Sequence, residues 1–173
     1  MGMSGHEPHY RGLTDVWLTP KSVIDTLGPF DLDPFAASEP RPWPTAKRHI
    51  TKEQDGLKQY WGGSEIFVWC NPPYGPEAGA CIGKLANHGN GIALVFARTE
   101  TKWFQAIIPR ATSLFFPRGR LTFCRADGTV PKGNGGAPSV FVAFGDEAHH
   151  RLERAAFPGF FARPTRGVLS DLL

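Results

Sequence analysis

A chain of 173 residues with 41% hydrophobic content is long enough to bury one core and short for two independent folds. Its formal charge of +3 and pI near 8.9 permit a polyanionic partner without requiring one. No apolar run approaches the roughly 20 residues of a membrane span, and Cys70, Cys81 and Cys124 form no C-x-x-C pair and have no histidine cluster at zinc spacing, so composition points to free thiols, no metal and a reducing cytoplasm.

Residues 1–14 are polar and patternless and read as a flexible N-terminal arm, leaving 15–173 as the folded domain. Thr19-Pro20 predicts a helix start, with the hydroxyl capping and proline in the first turn; Val23, Ile24 and Leu27 supply its apolar stripe and Gly28 its stop. Residues 30–34 alternate apolar and acidic before Pro34, which predicts a strand ending in a functional turn. Residues 38–48 are too proline-rich for a regular element, and a short helical turn is expected over 54–61.

The continuous apolar run 66–70 predicts a central strand covered on both faces. Pro76 and Gly89 bracket a helix carrying Cys81, Ile82 and Leu85. A second buried strand follows at 91–96, then a helix over 99–108 closed by Pro109. Further strands are expected at 113–116 and 139–144, separated by a glycine-rich surface loop at 126–137. Helical character returns at 147–156, and the last residues read as frayed. Strand and helix in alternation predict an α/β fold, with a mostly parallel central sheet and helices on both faces in one compact domain.

Three unusual segments fall at the carboxyl ends of predicted strands: 31–37, Asn71-Pro72-Pro73-Tyr74, and the region of Arg98. Open α/β sheets bind their ligands there. Asn71-Pro72-Pro73-Tyr74 suits the methylation of an exocyclic amine, whose lone pair is delocalised into its ring. The Asn71 side-chain carbonyl and the Pro72 backbone carbonyl can accept from the two N–H groups, while the prolines lock the backbone direction beforehand. Tyr74 offers a flat face to a base, a contact worth about 1–3 kcal/mol. The same tetrapeptide also suits a stiff turn capping the following helix.

An apolar strand ending in N-P-P-Y is similar to motif IV of amino-methyltransferases. The ordered set Asp15-Val16-Trp17-Leu18-Thr19-Pro20, Asp31-Leu32-Asp33-Pro34-Phe35-Ala36-Ala37, Asp55-Gly56-Leu57 and Asn71 to Tyr74 resembles the phage-type DNA N6-adenine methyltransferase family over residues 15–145. The resemblance implies a Rossmann-like methyltransferase fold, S-adenosylmethionine as methyl donor, DNA as partner, and a monomer or weak dimer in a bacterial cytoplasm, encoded by a phage or prophage. By that resemblance Asp15, Trp17, Thr19 and Pro20 line the methionine end of the donor. Asp31 and Asp33, with Pro34 and Ala36 beside them, meet its ammonium or ribose, and the turn Asp55, Gly56 and Leu57 its ribose or adenine. Where the wider pattern has a glycine-rich turn this chain has Ala36-Ala37-Ser38. The stretch between Asp33 and Asp55 is also short, so one element there is expected to be shortened or missing.

Toward the C-terminus, Gly119, Arg120 and Phe123 match a G-R-x-x-F stretch of that family. Arg118 and Arg120 are expected on phosphates and Phe123 near an extruded base, with Arg98, Lys102, Arg125 and Lys132 extending a basic rim. A β-hairpin with solvated charges is the structural alternative. N-P-P-Y also serves enzymes that methylate cytosine N4, RNA bases or protein glutamine, and a non-catalytic nucleic-acid-binding module is the alternative outside enzymes.

Overall fold

The computed structural model describes residues 16–133 and 136–165. Asp15 and the 1–14 arm therefore lie outside the described residues. The described chain runs β1 (Trp17–Leu18), α1 (Lys21–Leu27), β2 (Leu32–Ala36), β3 (Arg48–Thr51), β4 (Val68–Cys70), α2 (Ala78–His88), β5 (Gly91–Phe96), α3 (Lys102–Ile107), β6 (Ser113–Pro117), β7 (Cys124–Arg125), β8 (Ser139–Phe144), α4 (Asp146–Arg154) and β9 (Gly159–Ala162). Seven strands form the main sheet in the order β3-β2-β4-β5-β8-β6-β9, and β1 pairs with β7 as a separate two-stranded ribbon.

The sheet is mixed rather than mostly parallel. β3, β2, β4 and β5 pair in parallel, whereas β8 is antiparallel to both β5 and β6, and β9 is antiparallel to β6. The long connection after β6 brings β8 back between β5 and β6, and the chain then turns again through α4 to lay β9 on the outer side of β6. Sequence periodicity marks each of these strands without stating its direction.

Side-chain alternation explains why helices cover both faces. Val68 and Cys70, Ala93 and Val95, and Val140 and Val142 face α2 and α3, where Ile82, Leu85, Phe104 and Ile107 meet them. The intervening Trp69, Ile92, Leu94, Phe141 and Ala143 face α1 and α4, against Val23, Ile24, Leu27, Ala148 and Leu152. On that second face Phe30 stacks on Phe67 with ring centroids 5.0 Å apart and lies 5.2 Å from Trp69. Each such pair is worth about 0.5–1.5 kcal/mol beyond its area burial. Cys70, Cys81 and Cys124 are buried free thiols. Among the described residues no helix is long and apolar enough to cross a membrane.

α1 begins one residue later than Thr19-Pro20 suggests, with Pro20 at its N-cap and no side-chain cap. Residues 54–61 form turns rather than a helix: a 3-10 turn at Lys52–Gln54 ends in Asp55, whose φ of 57° is left-handed. α3 is shorter than the 99–108 span, and Pro109 sits inside the 3-10 turn that follows it. The β-hairpin that stood as the structural alternative for the arginine-rich segment does not form, since β7 pairs with β1 and not with β6.

Candidate active site

Because β3, β2, β4, β5 and β6 all run in one direction, their carboxyl ends reach one edge of the sheet. Asn71-Pro72-Pro73-Tyr74 follows β4 there. The Asn71 side-chain Nδ2 donates to the Thr19 hydroxyl at 3.2 Å, and the Tyr74 hydroxyl donates to Asn71 Oδ1 at 3.3 Å. Thr19 is 3% exposed, so its oxygen serves the asparagine amide in place of the expected helix cap. With the amide nitrogen held by Thr19, the carbonyl oxygen that accepts from Tyr74 has a second lone pair for another donor.

Tyr74 stacks on Phe96, at the end of β5, with centroids 4.0 Å apart and an interplanar angle of 11°, and Phe123 meets it edge-on at 5.9 Å. The ring is thereby held between two aromatic neighbours while Tyr74 remains 39% exposed. Desolvation pushes the Tyr74 phenol above its ordinary pKa, which keeps it a hydrogen-bond donor at neutral pH. Pro72 is buried and Pro73 exposed.

Several donor-side candidates converge on the same edge. Trp17, on β1, is 38% exposed, and Pro20 opens α1. Pro34 and Ala36 are buried in β2. Gly56 lies so close to β2 that a Cβ there would stand 2.0 Å from the Pro34 carbonyl oxygen, which seats the turn of Asp55, Gly56 and Leu57 directly on the strand. The Asp55 carboxylate accepts from the Leu57 amide at 3.2 Å and pairs with exposed Lys58 at 2.8 Å; Lys58 and these amides hold its pKa below the usual carboxylate range.

Two acidic candidates do otherwise. Asp31 immediately precedes β2, about 16 Å along the chain from Ala36 at about 3.3 Å per residue. Its carboxylate accepts from Lys47 at 2.8 Å and from the Phe67 amide at 2.9 Å, and these partners lower its pKa. Asp33 is 3% exposed and takes the Thr45 hydroxyl at 2.5 Å and the Phe35 amide at 3.0 Å. The structure therefore does not bring Asp31 to the others, and it turns Asp33 inward.

Burial raises the Asp33 pKa from 3.8 to about 6 against the opposing pull of Thr45, Phe35 and Arg41. A folded-state value above the unfolded one means that its stabilising contribution is complete below pH 3.8 and fades as pH rises through about 6. At 1.36 kcal/mol per unit the change is on the order of 2–3 kcal/mol. Asp33→Asn removes the titration, and the Thr45 hydroxyl can reverse its role toward the new amide. Urea unfolding at pH 4 and pH 6.5 is expected to show a smaller loss of stability with rising pH in the variant than in the parent; equal losses would exclude Asp33 as the source.

The basic segment also starts at this edge. Arg118 and Arg120 are exposed just beyond β6, Phe123 is 5% exposed and nearly perpendicular to Tyr74, and Arg125 is exposed on β7. The turn after β7 packs on the 37–47 loop, where a Cβ at Gly128 would stand 3.0 Å from Trp43 and 3.1 Å from Pro42. The 123–128 stretch thus runs from the Tyr74 ring, in the segment after β4, to Trp43, in the loop after β2, paired on the way with Trp17 and Leu18. Arg98 and Lys102 are exposed in and after the loop from β5, and that loop and Tyr74 line a cavity of about 380 Å³ with Trp103 and Glu100. Lys132 is exposed farther along the chain.

The family model described as DNA N-6-adenine-methyltransferase (Dam) matches residues 9–154. The chain belongs to this family. No curated protein matches it, and neither does any solved structure.

In this Dam-family chain no helix joins β2 to β3, as the short spacing from Asp33 to Asp55 implies. Polar contacts hold the 37–47 loop instead. Arg41 donates to the Ala37 carbonyl at 2.8 Å and 3.1 Å, Thr45 holds Asp33, and the His49 ring nitrogen accepts the Thr45 and Ala46 amides at 3.2 Å and 3.3 Å. Sequence reading passed over Phe96 and Lys84. The signal for Phe96 was its place at the carboxyl end of a buried strand; for Lys84 it was a cation one turn beyond Cys81 on the apolar stripe of α2.

Proposed function

We propose that this Dam-family chain transfers a methyl group from S-adenosylmethionine to N6 of an adenine flipped out of duplex DNA. One observation carries the reading: an asparagine carbonyl oriented by a buried threonine stands beside a tyrosine ring backed by phenylalanine, at the ligand-binding edge of an α/β sheet. The parallel run β3-β2-β4-β5 followed by an inserted antiparallel β8 supports a Rossmann-like methyltransferase architecture.

The residues at the edge suit the donor. Its ribose diol needs a carboxylate, and Asp55, its pKa lowered, is held by exposed Lys58 and the amides of its own turn. Trp17 offers a partly exposed aromatic surface, and Pro34, Ala36, Gly56 and Leu57 give a close-packed wall. Thr19 and Pro20 adjoin Asn71. Asp31 and Asp33 serve by shaping β2 and its loop, and Asp15 belongs with Trp17 by sequence. Once bound, S-adenosylmethionine supplies an electrophilic methyl group on a sulfonium.

The catalytic work falls to Asn71 and its neighbours. Asn71 Oδ1 and the Pro72 carbonyl accept from the two N–H groups of the amine, which draws its nitrogen out of conjugation with the ring. Pro73 stiffens the elbow, and Tyr74 holds the base by its free face, with Phe123 at the side. Positioning supplies most of the acceleration. Arg98, Lys102, Arg118, Arg120, Arg125 and Lys132 meet phosphates, which position the duplex without reading its sequence.

The test is transfer of tritiated methyl groups to unmethylated DNA followed by digestion to nucleosides. Label in N6-methyladenosine is the expected result. Label confined to methylated cytosine, or appearing only with RNA or protein, would replace the acceptor, and absence of any transfer together with no donor binding would replace the enzyme reading.

A further inference from the structure

Lys84 lies on α2, which leads directly out of Asn71-Pro72-Pro73-Tyr74, yet its ammonium reaches the loop after β3. It donates to three carbonyl oxygens in that loop, those of Gly56 at 3.1 Å, Leu57 at 2.7 Å and Gln59 at 2.6 Å. An ammonium has three donors, so this set saturates it. The same group stands 4.9 Å from the centroid of the Trp61 ring, and the Trp61 indole N–H donates to the Gly56 carbonyl at 2.8 Å. Both lone pairs of that one oxygen are therefore engaged, from a helix on one side and a buried indole on the other.

The arrangement fixes the turn from beneath. Three carbonyls of one loop turned toward a single point would repel one another if no cation stood there. Asp55, left-handed at φ 57°, closes the other side by accepting the Leu57 amide. Gly56 presses on the Pro34 carbonyl with no room for a side chain. A lysine on an exposed face ordinarily spends its charge in water; this one is partly buried and spends it on main-chain oxygens.

We infer that Lys84 is a positioning residue for the methyl donor, holding the turn of Asp55, Gly56 and Leu57 in the shape that receives the donor's nucleoside end and tying that turn to the helix that follows the catalytic elbow. The inference rests on the proposed reading of this turn as part of the donor site. It does not make Lys84 a contact of the donor or of DNA.

Lys84→Met keeps the aliphatic stem and deletes the ammonium. Calorimetry with S-adenosylmethionine on the full chain is expected to show a dissociation constant raised tenfold or more, while kcat at saturating donor stays within about twofold and DNA affinity is unchanged. An unchanged donor affinity, or a fall in kcat alone, would overturn the inference. Should Lys84→Met lose its cooperative unfolding transition, Lys84→Arg decides: a planar fork cannot serve three oxygens converging on one point, so donor affinity is expected to fall severalfold at an unchanged melting temperature, and parent-like affinity would overturn the role. Asp55→Ala separates the two layers. If it leaves donor affinity intact, the turn is not part of the donor site and the underlying reading fails; if it weakens binding while both Lys84 variants bind normally, only the role of Lys84 fails.

Discussion

Asn71→Ala is expected to lower methyl transfer by on the order of 10²–10³-fold while leaving the affinity for S-adenosylmethionine within about twofold. Removing one preorganised hydrogen-bonding group from a transition-state site costs about that much, and in the proposed mechanism the alanine deletes the acceptor that the amine needs when its nitrogen pyramidalises. Folding has little stake in the change, because Asn71 is only partly buried and its side chain bonds to Thr19 and Tyr74. Thr19→Val gives the graded companion. It keeps the shape of a 3% exposed side chain and removes the oxygen that holds the amide nitrogen, so Asn71 survives but loses its orientation. One such bond nets about 1 kcal/mol, and a loss of about five- to tenfold in kcat follows. Single-turnover rates with saturating donor measure both. Full activity in Asn71→Ala with normal donor binding would remove Asn71 from the chemistry, and a Thr19→Val enzyme as slow as Asn71→Ala would give Thr19 a direct role.

What the sequence discloses follows burial. β4, β5 and β8 are covered by helices on both faces, so each reads as an unbroken apolar run, and their residues sit where such runs predict. The two edges of the sheet escape the reading. β3 is Arg-His-Ile-Thr with a single buried residue, and β9, Gly-Phe-Phe-Ala, has none. An edge strand has one partner, and its outer side need not be apolar. Direction is equally silent in periodicity, which is why a mixed sheet emerges from strands that look alike. At the site, the motif following β4 was legible because its chemistry is local: two prolines, an amide and a ring in four residues. Asp31 and Asp33 show the limit. An acidic side chain in a strand tells nothing about which end of the sheet it occupies or whether a neighbour has taken it, and here Lys47 holds one while Thr45 holds the other. Thr19 could be read as a helix cap because its partner, Asn71, is 52 residues away.

Gly56→Ala is expected to disable the proposed donor site more thoroughly than loss of any single side chain in it. The added methyl would stand 2.0 Å from the Pro34 carbonyl oxygen and 3.0 Å from the Phe35 ring, and the first of these is main chain that cannot rotate aside. Either β2 shifts, which strains its pairing with β3 and β4, or the 55–57 turn lifts off the strand and pulls against the carbonyl bonds to Lys84 and Trp61. Overpacking of a tight site costs about 1–3 kcal/mol and sometimes more; a clash with fixed backbone belongs at the top of that range. On the proposed reading the consequence for binding is larger than for folding, since the turn has one seated position and would receive the donor's nucleoside end. Donor affinity is therefore expected to drop by more than about 100-fold, with a cooperative but lowered unfolding transition and a duplex-DNA affinity close to that of the parent. Calorimetry with S-adenosylmethionine, urea unfolding and fluorescence anisotropy with DNA measure the three separately. A Gly56→Ala protein that is destabilised yet binds the donor as tightly as the parent would show that this turn is packing alone, and would move the nucleoside end of the donor to another part of the sheet edge.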